Sequence, residues 1–278
     1  MNEIKPGRLS ELNELAAYYA DEYCPEPHVV NPLVIAERLG IPYTAGDYNG
    51  CFDGLIEYRN RKFHVFLNLN GEEHLYSPRV RFSFAHELGH YIIDSHRRAL
   101  MEPGMSPHGS QGIFASEIGT EREADYFAAC LLMPESRIKK DIFRRKFVFA
   151  LVDEISRKYQ VSVTAALLRF IALGNHPIMV VCSQKNRFKW LRYSEDFPFK
   201  RLNLGANNEL PEFTAAAEFF ADGTKYRSVQ EVFAEDWFLL FRSSDQRRLF
   251  NEYCVYYEAL NQVVNASKIW FCMYIFIN

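Results

Sequence analysis

Two histidines four residues apart, with a glutamate after the first, are the residues of this chain best suited to do chemistry. They lie in FAHELGHYIID, residues 84–94, as His86, Glu87 and His90. On a helix, positions i and i+4 share a face about 6 Å apart along the axis, so two imidazoles can grip one metal ion. Glu87 projects about 100° round the axis from His86, beside such an ion rather than onto it. There a carboxylate can take a proton from a water molecule that zinc has acidified to a pKa of about 7. The pattern therefore points to metal-assisted hydrolysis of a peptide bond, with Glu87 as catalytic base.

Such a site needs a third protein donor and one open position. The stretch TEREADYFAACLLMP, which begins at Thr120, reads as a second helix with two acids near its start. Glu123 is the expected third ligand and Glu121 its rival. Thr120 and Glu123 also fit a capping box, a use of the carboxylate that competes with metal binding. His96 and His108 are weaker rivals, because they fall beyond the helix or in a loop, where coordination geometry is harder to fix. The plain alternative is a structural helix that happens to carry two histidines. Val80, Phe84, Leu88 and Ile92 already form its apolar stripe, and His86 and His90 lie on another face. Gly89 costs about 1 kcal/mol relative to alanine inside a helix, which predicts the close approach of a strand or a substrate.

The elements that must hold these groups are legible on either side. Ser10 to Tyr23 and Pro32 to Gly40 read as helices, the second with proline near its start and glycine just past its end. GLIEY and KFHVFLNL alternate around the polar turn Arg59-Asn60-Arg61 and read as a β-hairpin. Ser77 and Pro78 then cap and open the motif helix. Residues 97–119 are rich in Gly, Pro, Ser and Met and read as a long functional loop, a candidate gate. A helix follows to Met133, another begins at Pro134, and LVDEISRKYQVSVTAALLRFIALG gives two helices around Gln160-Val161, the second capped by Ser162 and closed by Gly174. After Pro177 come strand-like runs (IMVVCS, FKWLRYS and KIWFCMYIFI) with helical stretches expected near 213–221 and 246–262.

Composition narrows the class. The 278 residues, 48% hydrophobic with a net charge of −3, can bury a sizeable core and give no global electrostatic case for nucleic acid or an anionic membrane. The opening residues form neither a signal nor a transit peptide, and the longest apolar run is too short to span a bilayer. Six scattered cysteines without a CxxC pair argue against a disulfide framework or a thiolate zinc site. The expectation is a soluble cytoplasmic protein.

RVRFSFAHELGHYIID followed by EREADYFAACLLMP resembles the ImmA/IrrE family of zinc metallopeptidases. Asp125 stands where the family usually has asparagine and Cys130 where it has glutamate. The resemblance is specific over residues 30–135 and thins after Gly174. It implies an α+β fold in three parts: a zincin-like metallopeptidase domain over 1–135, a helix-turn-helix-like segment over 136–175, and an α+β domain over 176–278 that could sense a signal or dock substrate. It implies zinc on His86, His90 and Glu123, Glu87 as base, and a helix-turn-helix transcriptional repressor as protein substrate, cleaved in a stress or mobile-element response. A non-catalytic zinc protein that sequesters a repressor, or a DNA-binding regulator, is the alternative.

Direct DNA reading is not expected. The helix after Ser162 carries one basic residue, Arg169, and reading bases while holding phosphates needs several. The run Arg137, Lys139, Lys140, Arg144, Arg145, Lys146 reads as a solvated face.

Overall fold

The structure is a computed structural model. It describes residues 4–69, 71, 74–102, 108–110, 119–145, 147–174, 176–212, 214–226, 228–259 and 269–277, with the backbone alone at 108–110, 257–259 and 269–277. The chain forms two compact units, residues 1–146 with 150–166 and residues 147–149 with 167–278. The helical segment expected over 136–175 is thus divided between them. The α+β class holds in both units.

In the first unit α1 (Pro6–Tyr23) and α2 (Pro32–Leu39) precede a small sheet of β1 (Tyr43–Gly46), β2 (Gly54–Arg59) and β3 (Lys62–Asn68). α1 buries Leu12, Ala16 and Ala20, one residue every four. Asn31 caps α2 by accepting the Leu33 amide, and Gly40 ends it at φ 68°, a conformation that suits glycine. β2 and β3 form the expected hairpin, whose turn residues Asn60 and Arg61 both have positive φ, as tight right-twisted hairpins require. β1 pairs parallel to β3 on its far side. The fourth strand is β4 (His108–Ser110), antiparallel to the free side of β2, which gives the order β1-β3-β2-β4.

The motif helix α3 (Pro78–Ile92) starts as expected, with Ser77 Oγ accepting the Val80 amide at 3.4 Å. It is buried almost all round, not along one stripe. Two arginines fix it in place. Arg79 donates to Asp53 and to the carbonyls of Asn68 and Leu69, which ties the helix start to the sheet. Arg81 donates to the carbonyls of Val30 and Gln160.

The long loop expected over 97–119 is in part regular structure. α4 (Asp94–Met101) follows α3 after a single extended residue, Ile93, and β4 lies further on. Residues 103–107 and 111–118 of that stretch lie outside the described residues. The sequence lacked a signal for α4 because its helix is short and mostly polar. α5 (Gly119–Leu132) begins before Thr120, so Thr120 is inside the helix and is not its N-cap. α5 packs on both α1 and α3.

α6 (Glu135–Ile142) and α7 (Phe149–Tyr159) follow, then α8 (Val163–Leu173), with Ser162 Oγ accepting the Ala165 amide at 3.1 Å and Gly174 at φ 65°. The basic run is only partly a solvated face. Arg137 is buried and donates to the carbonyls of Ala20, Cys24 and His28. Lys139, Lys140 and Arg145 pair with Glu135, Glu26 and Glu154. Lys146 lies outside the described residues.

The second unit is built on an antiparallel sheet of order β6-β5-β9-β8-β7. Its strands are β5 (Ile178–Gln184), β6 (Arg187–Tyr193), β7 (Gln230–Phe233), β8 (Leu249–Ala259) and β9 (Ile269–Ile277). α9 (Ala215–Asp222) matches the first helix expected here, and α10 (Ala234–Trp237) is a single turn. The second expected helix, over 246–262, is contradicted: residues 249–259 form β8, and 260–262 lie outside the described residues. The sequence LFNEYCVYYEA carries β-branched and aromatic residues that pair along the full length of β9, which overrides its helical reading. The core gathers Met179, Val181, Phe197, Trp237, Phe238 and Phe250. Among the described residues no helix is long and apolar enough to cross a membrane.

Candidate metal centre

α3 and α5 face one another, and three donors meet between them. His86 Nε2 lies 3.0 Å from His90 Nε2. Glu121 reaches both rings, with Oε2 3.3 Å from His86 Nε2 and Oε1 3.2 Å from His90 Nε2. All three residues are buried, and their donor atoms lie within 4.8 Å of one another. Two imidazole nitrogens and a carboxylate oxygen so spaced suit one zinc-sized divalent ion.

The carboxylate in this cluster is Glu121, where Glu123 was expected. Two residues turn a helix by about 200°, so the two side chains leave α5 on opposite sides. Glu123 Oε2 instead accepts from Arg8 Nη2 at 2.6 Å and Nε at 3.0 Å, and lies 3.3 Å from His96 Nε2. Burial alone would raise the Glu123 pKa, but the Arg8 guanidinium outweighs it and holds the carboxyl below its ordinary value. His96 is a buried residue of α4, and desolvation lowers its pKa. The His108 side chain lies outside the described residues.

Gly89 is the hinge of this geometry. A Cβ there would meet Phe127 Cδ1 at 3.0 Å and the Ala124 backbone at 3.5 Å. The close approach expected of a strand or substrate is that of α5, and it lets Glu121 reach across to the histidines.

Two further residues shape the site. Asp125 Oδ1 stands 2.9 Å from His86 Nδ1, and a carboxylate there fixes the ring so that Nε2 faces the cluster. Asp125 had been noted only as a departure from the family pattern; its place one helical turn after Glu121 was the available signal. Burial pulls the His86 pKa down, but hydrogen bonds to Asp125 and Glu121 and the charge of Glu87 push it up to about 10. The other residue is Gly54, at the start of β2. A Cβ at Gly54 would lie 2.7 Å from Glu87 Oε1 and 2.9 Å from its Cγ. The fully buried Glu87 carboxylate therefore rests against bare strand backbone.

Residues 54–170 match a peptidase family described as the IrrE N-terminal-like domain. The match spans the hairpin, α3 and α5, the elements that carry the motif residues. A solved structure described as a Mycobacterium tuberculosis transcriptional regulator is similar over 98% of this chain and 82% of its own, with a TM-score of 0.61 and 12% identity. At that identity the likeness shows the fold alone. No curated protein matches the sequence.

Proposed function

We propose that this chain is a zinc-dependent endopeptidase acting on a protein, with a helix-turn-helix transcriptional repressor as its substrate class. The observation that carries the reading is the meeting of His86 Nε2, His90 Nε2 and the Glu121 carboxylate beside a buried glutamate that is not one of the three. His86, His90 and Glu121 would hold the ion, and Asp125 would orient His86. A zinc ion there would polarise a peptide carbonyl and acidify water. Glu87, seated against Gly54, would receive the proton at its carboxylate and return it to the leaving amine. The family match over residues 54–170 supports the peptidase class, and the regulator to which the fold is similar supports a regulatory setting. The repressor substrate and the stress or mobile-element response rest on the family resemblance.

The deciding experiment incubates wild type and Glu87→Gln, both assayed for zinc, with helix-turn-helix repressors encoded beside this gene. Cleavage by wild type alone, at equal zinc content, supports the reading. Failure of wild type to bind zinc, or equal cleavage by Glu87→Gln, overturns it.

A further inference from the structure

Two segments of the second unit, FPFKRLNL (residues 197–204) and WFLLFR (residues 237–242), run antiparallel with Leu202 opposite Phe238. The Asn203 amide donates to the Trp237 carbonyl at 2.8 Å, and the Leu239 amide donates to the Arg201 carbonyl at 3.0 Å. Leu202 and Phe238 are buried, so the alternation of an extended chain turns their neighbours Arg201 and Leu239 to solvent. Leu239 is 50% exposed. Phe241, two residues on, is 86% exposed, the most of any large apolar side chain among the described residues. The charge of this surface is also one-sided. The two segments hold Lys200, Arg201 and Arg242 and no acid, on a chain whose net charge is −3. Among the described residues these three cations form no ion pair with a carboxylate within 4.0 Å, whereas Lys139, Lys140 and Arg145 of the first unit are all paired. Arg201 lies over the Phe241 ring, 6.0 Å from its centroid, and Lys200 lies over the Tyr193 ring at 5.2 Å. A guanidinium held over a ring still has its in-plane N–H donors to offer.

We propose that Leu239 and Phe241, with Lys200, Arg201 and Arg242, form a docking surface for an acidic segment of another protein, one whose carboxylates flank a large apolar side chain. The inference concerns the second unit and does not depend on the metal centre. The sign of the charge selects an acidic partner, and the apolar pair selects a protein. Aromatic side chains and arginine are the residues enriched where proteins meet. A carboxylate takes paired hydrogen bonds from a guanidinium, and an apolar side chain beside it would cover Phe241. Three cations release few counterions, too few to hold nucleic acid firmly at physiological salt. On an anionic membrane three cations give only weak, reversible attachment.

Selection of a random-peptide display library on the full-length protein tests this, with the double variant Phe241→Ser, Arg201→Glu as the counter-target. Both side chains are exposed, so the unfolding temperature of the variant should match wild type. Arg242→Glu, at a third exposed position, serves as an independent charge variant. The enriched peptides should carry Asp or Glu around a Phe, Leu or Trp. A labelled enriched peptide, followed by fluorescence polarisation, should bind wild type and lose about 10-fold or more in affinity to Phe241→Ser and to Arg242→Glu. Its binding should weaken as salt rises. No enrichment, enrichment of basic or uncharged peptides, or unchanged affinity in both variants overturns the proposal. Binding of phosphatidylserine vesicles or single-stranded DNA that the variants abolish while peptide binding persists also overturns it and assigns the surface to lipid or nucleic acid. Self-association of wild type that the variants abolish, with no peptide bound, overturns it in favour of a second copy of the chain.

Discussion

Glu121 and Glu123 project from opposite sides of α5, and only Glu121 faces the histidine pair. Glu121 is buried beside two imidazoles, whereas Glu123 answers a guanidinium from the first turn of α1. Substitution should separate them. Glu121→Ala should cut zinc affinity at least 100-fold, whereas Glu123→Gln should keep stoichiometric zinc and lower stability by about 1–2 kcal/mol through the weakened Arg8 bond. Metal analysis after dialysis, alongside urea unfolding, reads both.

Asp125→Asn tests the support of His86. The amide can still accept from Nδ1–H but no longer stabilises the ring with a negative charge. Zinc affinity should fall about 10-fold or more, with the fold intact. Competition against a chromogenic chelator measures it.

Gly54→Ala places a methyl group where the Glu87 carboxylate now lies, and Glu87 is fully buried with no solvent to retreat into. Cleavage should fall about 10- to 100-fold by displacement of the base, while zinc content is unchanged. Equal loss of zinc and activity would mean that the strand supports the ligands rather than the base.

The second unit offers a pH test. Glu252 is buried in β8, accepts from Trp237 Nε1 at 3.3 Å, and burial pushes its pKa from 4.5 to about 7. Between those values the folded chain keeps a proton that the unfolded chain has released. The fold is therefore at full strength below about pH 4.5 and loses stability as pH rises through about 7, by about 3 kcal/mol at most. Glu252→Gln should raise the unfolding temperature at pH 8 and leave it little changed at pH 4. Equal shifts at both would assign the effect to packing.

Most of the first unit was legible because its signals are local. Proline and serine opened α3, Asn60-Arg61 turned the hairpin, Gly40 closed α2, and spacing alone paired His86 with His90. The choice between Glu121 and Glu123 was not local: it depends on Arg8, which is 115 residues away in sequence. Gly54 read as an ordinary strand start because its neighbour, Glu87, arrives only in the tertiary structure. β8 was misread because its partner β9 follows it and supplies the pairing that decides its state.

β4 is three residues long and lies along the side of β2 that β3 does not use, with Ser110 opposite Gly54. A bare strand margin next to the candidate base would invite any extended chain to zip onto it, including another molecule of the same protein. The protein's own backbone already fills that margin. A polypeptide approaching by strand pairing must therefore dock on the outer rim of β4 or dislodge three residues, and so few residues form a weak seal.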